Sequence, residues 1–461
     1  MNEYQLIVIG SGPGGHAAAL KGAQLGLKTA VVEDREVGGT CLNRGCVPTK
    51  TMLHTSRLYH ETAHGGEAGL SAGEVRVDLP ALYARKATVS ARLSQEIEDQ
   101  FRRAGVDLLR GVGTVTGPHR VSVRGPEGEA VHTADHILAA TGSVPARPPI
   151  PGLDLPGVMT SDELLEVGDK PLSSIVIVGG GVIGVEFATF YADLGCAVTV
   201  VEGLDRLLPG MDRELGQGLA AGLKKRGAAI HTQAMVRSIR REGEELAVRF
   251  SARGEERTAA GQAVLCAIGR RPRLEGLFAP GLDPAVEGGR LKVDGRFETS
   301  IPHVYAVGDV SSPVQLAHAA AAQGAACVEL LCGRTPAVDL SVVPACVYCR
   351  PEIACVGLSE QEAKALGLPV RTGKAVMFGN ARTLIEGGER GFMKVVARCD
   401  SHQIVGAQLM CERSTDMISQ LAQAIANQLT VEDLLRAMRP HPTFEEALGS
   451  CLESLSAALS R

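Results

Sequence analysis

The chain has 461 residues, 47 basic and 52 acidic side chains and a formal net charge of −5. That length supports two to four domains with cores of their own, and the interspersed charges exclude the basic blocks of a nucleic-acid or membrane-surface binder. The longest apolar run, 175–185, holds four glycines in 11 residues and falls well short of a bilayer span. Fifty-five glycines, 45% hydrophobic residues and 21% charged residues suit an α/β protein with several tight phosphate-binding turns. Twelve cysteines, mostly solitary, fit reduced thiols. With the first strand expected from about Tyr4, no room remains for a signal or transit peptide, and the expectation is a cytoplasmic protein.

The first element is a strand from Gln5 running into Gly10-x-Gly12-x-x-Gly15, followed by a helix over 15–26 and a strand Thr29 to Val32 ending in Glu33. Glycines at these offsets let the backbone approach a pyrophosphate at a helix N-terminus, and the acid accepts hydrogen bonds from a ribose.

Next comes Gly38-Gly-Thr-Cys41-Leu-Asn-Arg-Gly-Cys46-Val-Pro-Thr-Lys50. Residues five apart on a regular helix are offset by roughly 7.5 Å along the axis, whereas disulfide bonding needs Cα atoms within about 4.4 to 6.8 Å. Cys41 and Cys46 therefore require a distorted turn to pair, which Gly45 and Pro48 permit.

A long helix is expected over 79–104, a linker over the proline-rich 145–151, and a loop rather than a lipoylation site at Gly168-Asp169-Lys170. The plan of the N-terminus then repeats from Ser174: strand, Gly179-x-Gly181-x-x-Gly184, a helix to Gly195, and a strand 197–201 ending in Glu202. First glycine and acid are 23 positions apart in both copies. One such motif is weak evidence; two at identical spacing imply two dinucleotide folds.

The run from Ile301 ends in Ala306-Val-Gly-Asp309 and precedes an alanine-rich helix over 317–332, and 342–347 reads as a strand. Cys346 and Cys349 form a C-x-x-C, but no second pair stands at zinc-ligand spacing, and positions three apart on a strand face opposite ways. Near the C-terminus, His441-Pro-Thr-Phe-Glu-Glu446 offers a histidine able to exchange protons near neutral pH and a carboxylate able to orient it. Alone, the motif is equally a turn before the final helix.

The stretch from Gly38 to Lys50 closely resembles the redox-disulfide signature of the pyridine nucleotide-disulfide oxidoreductases, and the resemblance extends over essentially the whole chain, including Tyr348-Cys-Arg-Pro-Glu352 and Asn380-Ala-Arg382. It implies an α/β fold of two Rossmann-like domains, for FAD and NAD, plus a C-terminal α+β dimerisation domain. The FAD-binding domain would be discontinuous, 1–147 and 272–340, with the NAD-binding domain at 148–271 and the interface domain at 341–461. The implied catalytic set is Cys41 and Cys46 as redox disulfide, Lys50 and Glu186 as an ion pair beside flavin and nicotinamide, and His441 with Glu446 serving the disulfide of the other subunit. Cofactor contacts are implied at Gly10, Gly12, Gly14, Gly15, Glu33, Lys50, Gly113, Thr141, Gly142, Ser143, Asp309, Gln315, Leu316, Ala317 and His318. Further contacts are implied at Gly179, Gly181, Gly184, Glu186, Glu202 and Gly269. The segments Ala140-Thr-Gly142 and Ala267-Ile-Gly-Arg270 resemble the two crossovers that close on the cofactors, which would have no tryptophan to stack on, since the chain has none. No metal is expected.

Within the family the chain is most similar to the branch that oxidises protein-bound dihydrolipoamide to lipoamide and reduces NAD+ to NADH, with FAD between. Glu202 favours NAD, because a carboxylate there repels a 2′-phosphate; Arg206, four residues on, is the one opposing feature. A lone Cys451 near the C-terminus argues against the branch that reduces mercuric ion and carries a vicinal pair there. The implied partners are a second copy of the chain and a lipoylated acyltransferase or glycine-cleavage H-type protein. Cys349, where the family commonly has threonine, and the unusual segment 410–416 leave an NADH-dependent reductase of another small disulfide, or a cofactor-binding structural subunit with vestigial activity, as alternatives.

Overall fold

The computed structural model describes residues 3–167, 170–388 and 390–460, without the side chain of Glu67; Gly168 and Asp169 of the expected loop lie outside the described residues. Its first sheet has five parallel strands in the order Asp107–Arg110, Thr29–Glu33, Tyr4–Ile9, Gly128–Ala139, Val304–Ala306. The strand Tyr4–Ile9 sits at the centre because it is buried along nearly its full length, as a parallel strand covered on both faces must be. Gly128–Ala139 is long enough to serve twice, pairing antiparallel with Arg120–Gly125 through its first half. The last strand, Val304–Ala306, returns to this sheet after some 160 intervening residues, so the polypeptide leaves the first sheet and comes back.

The excursion builds a second parallel sheet, ordered Ala229–His231, Ala197–Val201, Ser174–Val178, Ala263–Cys266, Val158–Thr160. A three-stranded antiparallel meander, Ala234–Glu242, Glu245–Ala252 and Glu255–Gly261, lies beside it. Exit and return run side by side: Ser143–Pro145 pairs antiparallel with Arg270–Pro272. The remainder is a five-stranded antiparallel sheet between Ala345 and Met410, packed by the helices Ser414–Ala426 and Glu446–Leu459.

The helix Leu79–Ala104 has the expected bounds, with Asp78 capping its start and Gly105 in the left-handed conformation at its end. Two expectations shift. The first dinucleotide helix starts at Pro13, which needs no N–H in the first turn, and ends at Gln24. The strand expected over 342–347 is only Ala345–Val347, because Pro344 has no N–H for the ladder.

One core joins all three parts. Met52 and Leu53 of the helix Cys46–Ala63 pack with Val185 and Phe187 of the second dinucleotide unit and with Val347, Phe392 and Met410 of the antiparallel sheet. Cys349 belongs to it, fully buried with its thiol donating to the Pro351 carbonyl at 3.2 Å, which makes it a packing residue. Among the described residues no group of histidine, cysteine or acidic side chains is arranged to hold a metal ion, and no helix is long and apolar enough to cross a membrane.

Candidate active site: a dithiol on a cavity shared by two dinucleotide turns

A cavity of about 1240 Å³ runs between the two parallel sheets. Its wall contains Gly10, Gly12, Gly14, Glu33, Gly113, Thr141, Gly142, Ser143, Asp309, Gln315, Leu316, Ala317 and His318 on one side and Gly179, Gly181, Glu186, Glu202 and Gly269 on the other. Cys41, Cys46 and Lys50 line the same space.

The two turns are built alike. The Cβ of an alanine at Gly10 would lie 2.5 Å from the Ala140 carbonyl oxygen, and at Gly179 2.4 Å from that of Ala267. Both glycines also have positive φ, +101° and +110°. Gly15 and Gly184, expected as cofactor contacts, do not line the cavity. A Cβ there would meet the carbonyl oxygen of Gly10 at 1.8 Å and of Gly179 at 2.0 Å, so these glycines let each helix close onto its own turn. The acids match as well. Glu33 accepts from Ser11 N–H at 2.9 Å, Ser11 Oγ at 2.5 Å and Arg35 N–H at 2.9 Å, while Glu202 accepts from the N–H of Gly180 and of Leu204, each at 2.6 Å.

These features fit two dinucleotides: each turn brings bare backbone to a helix N-terminus, Pro13–Gln24 in one case and Val182–Asp193 in the other, with a buried carboxylate at the neighbouring strand end. Asp309 accepts a hydrogen bond from Ser143 Oγ at 2.5 Å, and Arg270 Nε donates to the same hydroxyl at 2.8 Å. The crossover strands are thereby fixed to the end of the first sheet.

The two cysteines lie on either side of a helix break. Cys41 sits in the one-turn helix Gly39–Asn43 and Cys46 opens the helix Cys46–Ala63, with Arg44 and Gly45 between them. A Cβ at Gly45 would come within 3.0 Å of the Thr40 carbonyl oxygen and 3.5 Å of Cys41 Cα, so glycine allows the two segments to fold together. Both cysteines are free thiols, the reduced form of such a pair.

They are unequal. The Cys46 thiol is lowered to about 7, first by the hydrogen bond from Cys41, against the opposing effect of burial, and then by the charge of Lys50. Its place at the head of an 18-residue helix adds the positive end of the helix dipole. The Cys41 thiol is raised, first by serving as that donor and then by burial. Of the two sulfurs, Cys46 is the one whose ionisation the surroundings favour.

Lys50 Nζ lies 2.8 Å from Glu186 Oε2, and Glu186 Oε1 accepts from Tyr348 N–H at 3.0 Å. The ammonium also stands 4.7 Å from the centre of the Tyr348 ring. Burial pulls the Lys50 ammonium down, but the Glu186 charge and hydrogen bond outweigh it and hold Lys50 protonated.

Alkylation of the reduced protein by iodoacetamide is therefore expected to occur at Cys46 and to rise with pH to half its maximum near pH 7. Lys50→Met is expected to move that midpoint upward. A midpoint unchanged by the substitution would remove Lys50 as a cause.

His441 and Glu446 are not part of this cavity. His441 Nδ1 lies 2.8 Å from Glu446 Oε1, and Thr443 N–H donates to the other carboxylate oxygen at 2.9 Å. The Thr443 bond, then the one to His441, holds the Glu446 carboxyl below its usual range. A carboxylate only accepts, so His441 carries its proton on Nδ1 and leaves Nε2 free, on a side chain 71% exposed. Asn380, noted in the sequence only as part of a motif, donates to the Thr443 carbonyl at 2.9 Å and holds this loop. Sequence reasoning missed Asp34 and Arg273, which pair across the cavity wall; nothing local to either residue signals the other.

Two dinucleotide turns, a dithiol with one low-pKa sulfur and a buried ion pair on a single cavity define a dinucleotide-dependent dithiol–disulfide oxidoreductase. The chain belongs to the pyridine nucleotide-disulphide oxidoreductases: that family's model matches residues 4–324, and its dimerisation-domain model matches 343–451. It is a flavoprotein of the family, with FAD and NAD as cofactors.

It is 36% identical to a dihydrolipoyl dehydrogenase of Bacillus subtilis, with 97% of each chain covered. Among solved structures it is similar to LpdA of Mycobacterium tuberculosis, with a TM-score of 0.89, 29% identity and coverage of 97% of this chain and 99% of that one. It is also similar to the HOCl-induced flavoprotein disulfide reductase of Escherichia coli, solved as a Cu(II) complex, with a TM-score of 0.87, 28% identity and coverage of 98% and 99%.

Proposed function

We propose that the chain is an FAD-dependent dihydrolipoamide dehydrogenase that oxidises protein-bound dihydrolipoamide and reduces NAD+, working as a homodimer with domains at 1–147 plus 272–340, 148–271 and 341–461. The observation that carries the reading is the inequality of the two thiols on the shared cavity. In disulfide exchange the sulfur with the lower pKa leaves more readily. A substrate thiolate, deprotonated by His441 Nε2 of a partner subunit, attacks Cys41; the Cys41–Cys46 bond breaks and Cys46 leaves as the thiolate beside Lys50. The substrate's second thiol, deprotonated in turn, displaces Cys41 and closes the cyclic disulfide of the product. Cys41 takes up one of the two protons removed from the substrate and the other passes from His441 to solvent, and the electron pair of the substrate now resides on the reduced Cys41–Cys46 pair, with Cys46 as thiolate. The chemistry FAD supplies when bound is acceptance of that pair and its delivery to NAD as hydride. Glu446 keeps the His441 ring oriented, and Lys50, held protonated by Glu186, keeps a positive charge beside Cys46. Lipoylated acyltransferases or a glycine-cleavage H-type protein are the proposed carriers of the substrate.

Steady-state assays of dihydrolipoamide with NAD+, set against glutathione disulfide and other small disulfides with NADH and NADPH, test the reading. Turnover of dihydrolipoamide above all the others is expected. Preference for another disulfide would favour a small-disulfide reductase, a reading supported by the likeness to the Escherichia coli disulfide reductase.

For the coenzyme, NAD is expected over NADP by at least roughly a hundredfold in kcat/KM, since meeting like charge costs several kcal/mol. Glu202 lines the cavity, whereas the Arg206 guanidinium is taken up by Asp205 at 3.0 Å and the Pro209 carbonyl at 2.9 Å. Equal values for the two coenzymes would mean that Arg206 swings in to bind the phosphate.

A further inference from the structure

Asp34 follows Glu33 directly at the end of the strand Thr29–Glu33, and Arg273 follows the crossover strand Arg270–Pro272. The two residues are 239 positions apart in sequence, yet Arg273 Nη1 lies 3.1 Å from Asp34 Oδ1, and Arg273 Nη2 donates to Asp34 Oδ2. Both side chains line the cavity and both are largely buried, 19% exposed for Asp34 and 30% for Arg273. The backbone of Arg273 is fixed to the other crossover: its N–H donates to the Gly142 carbonyl at 3.0 Å, and its carbonyl accepts from Thr141 Oγ1 at 2.8 Å. One residue thus joins the crossover wall, Thr141 and Gly142, to the strand end that carries Glu33. Burial alone would raise the Asp34 carboxyl; the hydrogen bonds and charge of Arg273 reverse this and keep it ionised.

We propose that Asp34 and Arg273 are positioning residues that clasp the two walls of the Glu33 half of the cavity and set how slowly FAD leaves it. The inference rests on the reading that FAD occupies this half. A two-pronged guanidinium–carboxylate pair is among the strongest side-chain hydrogen-bond arrangements, and it fixes orientation as well as distance. It therefore resists separation of the two walls, and a contact of this kind is felt in the rate of leaving more than the rate of arrival.

The test measures FAD release from the purified holoprotein by the fluorescence of flavin freed after dilution, in the native protein, Arg273→Gln, Asp34→Asn and the double variant. Each single substitution is expected to speed release by roughly tenfold, the factor that corresponds to about 1.4 kcal/mol. The double is expected to be no faster than the faster single, because the two changes break one shared contact. Release is measured well below the unfolding transition of each variant, where a loss of overall stability alone leaves the rate unchanged, and rebinding of FAD is expected to be no slower than in the native protein. Release at the native rate in both singles overturns the clasp, as do additive effects in the double or slower rebinding without faster release. If Arg273→Gln does not fold, Asp34→Asn reads the same contact from the other side. A native protein that takes up no FAD would instead fail the underlying reading.

Discussion

Cys46→Ser is expected to abolish dihydrolipoamide oxidation, by roughly 10⁴-fold or more, the scale on which removal of an essential nucleophile or leaving group falls. Cys41→Ser is expected to lose as much activity but to differ in its spectrum. With Cys41 gone, Cys46 keeps Lys50 and the helix N-terminus, both of which favour the thiolate. A thiolate against oxidised FAD gives a long-wavelength charge-transfer band. The band is therefore expected in Cys41→Ser and absent in Cys46→Ser, followed by raising the pH through the ionisation of Cys46, whose midpoint moves upward in Cys41→Ser because the Cys41 hydrogen bond is the largest of the effects that lower it. The opposite pattern would exchange the roles of the two sulfurs and make Cys41 the sulfur nearer the cofactor.

What the sequence revealed, and what it did not, follows the distance over which each feature is determined. The two glycine turns are local objects: strand, bend and helix within a dozen residues, with an acid 23 positions after the first glycine. Their backbone geometry requires glycine wherever it comes close to a carbonyl, so the pattern is written in the residues themselves. The helix break between Cys41 and Cys46 was legible for the same reason, through Gly45. The distinction between Gly10, which faces the cavity, and Gly15, which packs its helix onto the turn, was not, because both are demanded by closeness and the sequence does not say closeness to what. Val342 to Val347 failed as a strand at Pro344, a case where β-branched residues outvoted a missing N–H. Asp34 and Arg273 were invisible: an aspartate after a strand and an arginine after a proline carry no mark of one another until the excursion of the second domain returns them to the same wall.

His441 presents the same problem on a larger scale, and it carries the remaining prediction. The imidazole is oriented by Glu446 and its free nitrogen is exposed, as a proton acceptor for an incoming thiol requires, yet neither residue lines the cavity that holds Cys41 in its own subunit. The part of the chain that carries His441 matches the family's dimerisation domain, and the same domain exposes the apolar side chains of Val376, Phe378, Leu384, Ile385 and Met438. An isolated catalytic-type pair on a domain of this kind fits a site completed by a second copy. His441→Ala is expected to lower kcat for dihydrolipoamide by roughly 10² to 10⁴-fold, the usual contribution of a general base, while leaving FAD content unchanged. Mixing Cys41→Ser subunits with His441→Ala subunits then yields heterodimers with one doubly damaged site and one site in which an intact dithiol faces an intact histidine. Half of the native activity per heterodimer is expected to return, from two homodimers that each have almost none, once exchange of subunits has been verified by differently tagged chains. Verified heterodimers that stay inactive would mean that His441 serves its own chain after a rearrangement, or does not act as the base.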